Sequence, residues 1–223
     1  MQFLFSDEAG QSSLKLRGEE YKYLFKVRRH EVDDILHFRS RSKADELYRY
    51  RVLSLDGRSA NLEYVNSEIK EVHSPKQLHI AWCVVDPKSV EKVLPSLNEI
   101  GVSKISFIYC ARSQKNFKTD IKRYERILET SSQQCGRSRA IEFETFTALD
   151  DFLLLHPETV VLDFCDTLFS GEDEVETVLI GCEGGFSEEE RKKVEQLKRF
   201  RLDTPMILRS ESAVMAIASK ILL

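Results

Sequence analysis

The 223-residue chain has no long hydrophobic run. Its longest, Leu78 to Val85, is broken by His79 and falls far short of the roughly 18 apolar residues that suggest a bilayer span. Residues Met1 to Gly10 carry acids where a secretory leader carries bases, so the sequence predicts a cytoplasmic protein with no membrane partner. Cysteine is scarce and its spacing is uninformative. The five residues Cys83, Cys110, Cys135, Cys165 and Cys182 are odd in number and form no CxxC pair, which disfavours a disulfide framework and a zinc site, and no metal is expected. Several sit in apolar runs, where a small thiol is expected to be buried. A surplus of positive charge is also missing. With 33 Lys and Arg against 37 Asp and Glu, a net charge of −4 argues against a protein that coats nucleic acid through bulk charge. There is no internal repeat and no low-complexity tract.

What is present becomes visible by segment. Residues 15–58 hold 12 basic and 8 acidic side chains, and residues 112–139 hold 8 and 3. Residues 140–200 hold 5 basic and 16 acidic ones. The near-neutral total conceals two basic stretches and an acidic one; each is either a solvated face or part of a field that turns a polyanion to one side.

Hydrophobic residues make up 42%, enough for one large core or two small ones. From Phe3 to about Val72, short runs rich in β-branched and aromatic residues alternate with turn signals. Examples are Ile35 to Phe38, Tyr48 to Leu53 and Ala60 to Val65, with Leu55-Asp56-Gly57-Arg58 as a turn. This predicts a small β-barrel with one helix at Glu19 to Arg28. The polar segment Asn66 to Gln77, closing with Ser74-Pro75, is the candidate linker, so domains are expected over 1–73 and 74–223.

Beyond it strand and helix alternate. Strands are expected at Leu78 to Val85, Ile105 to Cys110, Ile141 to Phe146, Val160 to Phe164 and Val178 to Gly181. Helices are expected at Pro87 to Ile100, Asp120 to Cys135, Ala148 to Leu155 and Ser187 to Lys198. Such alternation implies a mainly parallel sheet covered on both faces, an α/β domain after an all-β one. Ser210 to Leu222, apolar or small nearly all round, reads as a buried helix.

Two segments carry candidate chemistry. In Leu179-Ile180-Gly181-Cys182-Glu183-Gly184-Gly185-Phe186-Ser187 an apolar strand runs into a glycine loop and then a Ser N-cap followed by acids. Glycines at a strand's C-terminal end let backbone approach a ligand, although a plain tight turn gives the same pattern. In Leu202-Asp203-Thr204-Pro205-Met206-Ile207-Leu208-Arg209-Ser210-Glu211-Ser212-Ala213, Pro205 interrupts regular structure and Arg209 and Glu211 open the buried helix, either as functional charges or as salt-bridge partners.

Together these segments resemble the C-terminal signature of the SPOUT methyltransferases, and more closely that of the RsmE family of 16S ribosomal RNA (uracil-N3)-methyltransferases. That family reads Gly-Pro-Glu-Gly-Gly-Phe-Ser and then Leu-Gly followed shortly by Ile-Leu-Arg-x-Glu-Thr-Ala. Gly181, Glu183, Gly184, Gly185, Phe186 and Ser187 match the first motif; Leu202, Ile207, Leu208, Arg209, Glu211 and Ala213 match the second. Asn98 to Val102, Ala111-Arg112-Ser113, Gln134 to Arg137 and Tyr23 to Arg29 resemble further family elements, so the resemblance covers almost the whole chain. The chain departs from the pattern at Cys182 for Pro, Asp203 for Gly, Ser212 for Thr, Tyr23 for His and Ser96 for Lys.

The resemblance implies a PUA-like RNA-binding β-barrel followed by a trefoil-knotted SPOUT domain, a homodimer, and methylation of N3 of a uridine in 16S rRNA or the small ribosomal subunit. It implies S-adenosylmethionine held mainly by backbone, with Leu162, Gly181, Cys182, Glu183, Gly184, Gly185, Leu202, Ile207 and Leu208 around it. Arg209 is then the catalytic candidate, and Arg28, Arg29, Arg112, Lys122, Arg126 and Arg137 the RNA-binding ones. The alternatives are a SPOUT enzyme acting on another RNA position, and a catalytically silent RNA-binding module of PUA type.

Overall fold

The structure, a computed structural model, describes residues 2–114, 116–171 and 174–223. Lys115 of the basic stretch and Glu172 and Asp173 of the acidic one lie outside the described residues, as does Met1. The chain forms two compact units: one runs up to His73 and includes Ser132–Arg139, the other is Ser74–Ser131 with Ala140–Leu223. Ser132–Arg139 belongs to the first unit through bonds from Gln2 and Phe3 N–H to the Gln133 carbonyl and from Val72 N–H to Ser138 Oγ.

The first unit is a mixed, barrel-like sheet in the order β1 (Leu4–Phe5), β3 (Ile35–Ser40), β4 (Lys43–Leu55), β5 (Ser59–Ile69), β2 (Ser13–Arg17). All pairs are antiparallel except β1 with β3. Register shifts near Ser40, Tyr50 and Ser54 add the local twist that curls a sheet. Period-two alternation buries Leu14 and Leu16, Leu36 and Phe38, Tyr48, Tyr50 and Val52, and Ala60 and Leu62. Tyr21, Leu24 and Phe25 join this core from α1 (Gly18–Tyr21) and the π-helical turn that continues it over Lys22–Val27. The β4–β5 turn is held by Asp56, whose carboxylate accepts from the N–H groups of Arg58 and Ser59.

The strands here are longer than the sequence pattern suggested. Residues 66–69, expected in the linker, extend β5, because Asn66 to Ile69 pair with Arg49 to Glu46 of the long hairpin.

The second unit is an all-parallel sheet, ordered β11 (Arg199–Phe200), β9 (Val160–Leu162), β10 (Thr177–Ile180), β6 (His79–Cys83), β7 (Lys104–Ile108), β8 (Glu142–Phe146). Its central strands are continuous apolar runs because both faces are covered. The crossovers carry α2 (Pro87–Ile100), α3 (Ile121–Cys135), α4 (Leu149–Leu155) and α5 (Glu188–Val194), and α6 (Ser210–Leu222) packs on α2 and β10.

The expected α/β plus all-β class holds, with shifted boundaries. The helix expected to reach Lys198 stops at Val194, since a turn over Glu195 to Leu197 must return the chain so that Arg199 and Phe200 can pair with Val161 and Leu162. The strand expected to reach Phe164 ends at Leu162, where the pairing with β11 ends.

Candidate active site

Strand β10 was inserted between β9 and β6, so the loop after it opens in the middle of the sheet's C-terminal edge, where parallel sheets bind ligands. The loop is a tight turn: Gly185 N–H donates to the Cys182 carbonyl at 2.9 Å, and Gly185 has φ +65°, a conformation glycine adopts without strain. Gly184 is favoured for a different reason. A Cβ there would lie 3.2 Å from Cβ of Arg112, and Arg112 Nη1 donates to the Gly184 carbonyl at 3.0 Å. Ser187 then caps α5 in a reciprocal box with Glu190.

The second motif returns to the same place. After β11 the chain runs irregularly from Leu202 to Arg209, with Met206 N–H donating to Thr204 Oγ1 at 3.2 Å. Helix α6 begins at an anchored point: Trp82 Nε1–H donates to Ser210 Oγ at 2.8 Å, and that hydroxyl donates to the Gly181 carbonyl at 2.6 Å. Arg209, immediately before, is exposed at the N-cap and makes no side-chain cap bond.

The two segments enclose a cavity of about 390 Å³ within this unit, in the size range of small-molecule sites. Of the residues assigned to cofactor from the sequence, Leu162, Gly181, Cys182, Glu183, Gly185, Leu202, Ile207 and Leu208 line it, and so does Arg209. Gly184 is not among the lining residues; its place is the contact with Arg112. Asp203 is exposed, its φ is not positive, and it too lies outside the lining, so the departure from glycine there meets no backbone obstacle. Cys182 is buried, which raises its thiol pKa and keeps it protonated.

Sequence reading missed several wall residues, namely Asp163, Phe164, Arg191, Arg201, Thr204 and Met206. Asp163 and Phe164 follow β9, and position alone could have flagged them once β9 was placed beside β10. The Asp163 carboxylate lies 2.9 Å from Arg191 Nη1 and 3.8 Å from Arg199 Nη1. The rim is unusually apolar: Phe164 is 75% exposed, Met206 65% and Ile207 82%. Glu211 is buried with Oε2 unpartnered and does not line the cavity, whereas Glu183 does.

Among the proposed RNA contacts, Arg112, Lys122 and Arg126 are exposed. Arg28 is exposed with its guanidinium over the Tyr23 ring and Nε donating to the Tyr23 hydroxyl at 2.9 Å; Arg29 is exposed at φ +61°. Arg137 is a correction. It is 6% exposed and its Nε donates to the Arg139 carbonyl, so it is a turn-holding residue rather than a surface contact. Cys83, Cys110 and Cys182 are buried and all five cysteines are free thiols.

The model of the RNA methyltransferase domain family matches residues 72–222. A curated relative from Helicobacter pylori (strain ATCC 700392 / 26695), ribosomal RNA small subunit methyltransferase E, is 38% identical over 98% of each chain. This chain belongs to the RsmE family. A second RsmE relative, from Aquifex aeolicus, is 28% identical over 98% of each chain. The fold is shared with the RsmE protein of Neisseria gonorrhoeae bound to S-adenosyl methionine, at TM-score 0.76, 16% identity, and coverage of 98% of this chain and 95% of that one. A probable rRNA-methyltransferase from Porphyromonas gingivalis gives TM-score 0.78 at 18% identity, covering 99% and 97%. Among the described residues no helix is long and apolar enough to cross a membrane.

Proposed function

We propose that the chain transfers a methyl group from S-adenosylmethionine to N3 of a uridine in 16S rRNA of the small subunit, acting in the cytoplasm as a homodimer. The observation that carries this reading is the convergence of the glycine loop and the Leu202–Ala213 segment on one cavity. It is supported by the RsmE names of the full-length relatives and by the S-adenosyl methionine bound in the Neisseria structure.

The residues present fit that cofactor. Leu162, Ile180, Leu202 and Leu208 supply apolar wall for a nucleoside, the loop supplies backbone amides and carbonyls, and Arg191 and Arg201 supply cations on the wall. When bound, the cofactor supplies a methyl group on a sulfonium centre. The chain's own contribution is positional and electrostatic.

As N3 of uracil gives up its proton, negative charge spreads onto the uracil oxygens, where the exposed guanidinium of Arg209 would stabilise it; that charge is discharged when N3 takes the methyl group and the methyl–sulfur bond breaks. Solvent can take the proton. Arg28, Arg29, Arg112, Lys122 and Arg126 hold the RNA backbone. The apolar rim of Phe164, Met206 and Ile207 is the surface a second copy of the chain would cover.

The test is calorimetric titration with S-adenosylmethionine, followed by mass mapping of 16S rRNA from a strain lacking the gene. Stoichiometric binding and the loss of a single N3-methyluridine are expected. A missing methyl elsewhere would move the enzyme to another RNA position, and no binding would leave only an RNA-binding module.

A further inference from the structure

Two segments at the sheet's C-terminal edge are fastened together mostly by groups that do not line the cavity. Glu190 of α5 is only 9% exposed, and its two carboxylate oxygens serve different parts of the chain. Oε2 accepts from Ser187 N–H at 2.8 Å, which completes the helix cap. Oε1 accepts from Ala111 N–H at 2.7 Å, and helix capping has no need of that bond. The residue after Ala111 is Arg112, whose Nη1 donates to the Gly184 carbonyl. After it, the Ser113 hydroxyl lies against the Cys182 thiol and accepts from Cys110 N–H at 3.3 Å. Gly184, lacking a Cβ, leaves room for the Arg112 Cβ, which would lie 3.2 Å from a Cβ there. Arg112 thus bonds the glycine loop directly, Ala111 bonds Glu190 of the helix that follows the loop, and Ser113 packs against Cys182.

We propose that Glu190 is a positioning residue that couples the filled cavity to RNA capture, by locking the segment that carries Arg112 onto the glycine loop. The proposal rests on the reading of the cavity as the S-adenosylmethionine site and of Arg112 as an RNA contact. Glu190 itself touches neither ligand. A loop that is ordered by what fills the cavity orders Arg112 through the Glu190 bond, and linkage makes the effect mutual: cofactor tightens RNA by the factor by which RNA tightens cofactor.

The test measures the affinity of the protein for transcribed 16S rRNA with and without saturating S-adenosylhomocysteine. The wild type is expected to bind RNA roughly tenfold more tightly with it. Glu190→Gln retains size but offers only one acceptor oxygen, so one of its two backbone donors is left facing an amide N–H. The coupling factor should fall to about one, as in Arg112→Ala, and the double variant should lose no more than Arg112→Ala alone. Ala111→Pro removes the donor at 111 without touching the α5 cap, and where it folds despite fixing φ there and restricting Cys110, it tests the same bond if Glu190→Gln does not fold. Undiminished coupling in a folded Glu190→Gln or Ala111→Pro protein, or additive losses in the double variant, would overturn the proposal. A wild type that binds S-adenosylhomocysteine without any coupling overturns it too, whereas one that does not bind S-adenosylhomocysteine overturns the functional reading beneath it.

Discussion

The two ends of the second unit's sheet are built from the same strands on opposite principles. At the C-terminal end backbone groups of a glycine loop and an irregular segment, with charged side chains such as Arg201 and Arg209, surround an open cavity with an exposed apolar rim. At the N-terminal end the polar groups are side chains closed upon one another. His79, first residue of β6, bonds through Nε2 to Ser106 Oγ at 2.7 Å; that hydroxyl donates to Glu144 Oε2 at 3.2 Å, and Lys104 Nζ lies 2.6 Å from the same carboxylate. His156 stacks on Phe152 and meets the His79 ring edge-on at 4.9 Å between centroids. A network that satisfies its own members has little left to offer a ligand, while backbone groups and an uncapped arginine around a cavity do. The contrast separates polarity that holds the fold from polarity placed for chemistry.

The sharpest way to break this contrast is at Arg209. Its side chain makes no cap bond and α6 is anchored by its neighbour Ser210, so Arg209→Ala should leave folding intact. Methyl transfer to 16S rRNA should fall roughly 10²- to 10³-fold, the cost of removing one pre-placed stabiliser of developing charge. Incorporation of labelled methyl, with a melting curve as control, measures both. Near-wild-type turnover would place the catalytic cation elsewhere on the cavity wall.

The opposite end should answer to pH. Burial, reinforced by His156 and Lys104, pushes the His79 pKa down to about 4, and Lys104 holds the Glu144 carboxyl below its usual value. The unfolded chain therefore binds a proton at His79 that the folded chain refuses between about pH 6.5 and about pH 4. Stability is full above that window and falls as pH drops through it, by on the order of 3 kcal/mol from this one group. The Glu144 contribution is lost at lower pH still. Urea unfolding from pH 7 to pH 4.5 should show the decline, and His79→Gln should flatten it. An unchanged slope in that variant would sever His79 from the acid sensitivity, and the network would no longer be the structural counterpart of the open end.

How much of this was legible in the sequence follows from the same contrast. The glycine loop and the Ile207-Leu208-Arg209 run could be read because backbone geometry and motif spacing leave local marks: Gly185 stands at positive φ, and Pro205 breaks the chain before α6. The Glu190–Ala111 and Asp163–Arg191 contacts could not, since they join residues 79 and 28 positions apart and Glu190, Asp163 and Arg191 look in sequence like ordinary surface charges. Gly184 was assigned to cofactor because it sits among cofactor-loop glycines, whereas its constraint comes from Arg112, 72 residues away. Arg137 was assigned from the resemblance of Gln134 to Arg137 to a family element, and a motif match has no knowledge of burial. The strand boundaries moved where pairing partners, rather than propensity, decide how far a strand continues, as in β5 and β9.

The smallest expected effect sharpens the comparison along the sheet. Helix α3 leaves the C-terminal end of β7 and must return to the N-terminal end of β8, so its first turns lie nearest the cavity end. There Arg123 is engaged with Glu91 at 2.6 Å, while Lys122 and Arg126 stand exposed on the helix surface. Lys122→Glu and Arg126→Glu should each weaken 16S rRNA binding several-fold at low salt and reduce the slope of log affinity against log salt by about one. S-adenosylmethionine titrations should be unchanged. Lys104→Gln, at the opposite end, should lower stability through Glu144 and leave the salt slope as it was. Equal losses of salt slope from both ends would mean that RNA is held by the unit's overall field rather than by one end of the sheet. A loss confined to α3 assigns RNA binding to the same edge as the cavity, and leaves the N-terminal network to stability alone.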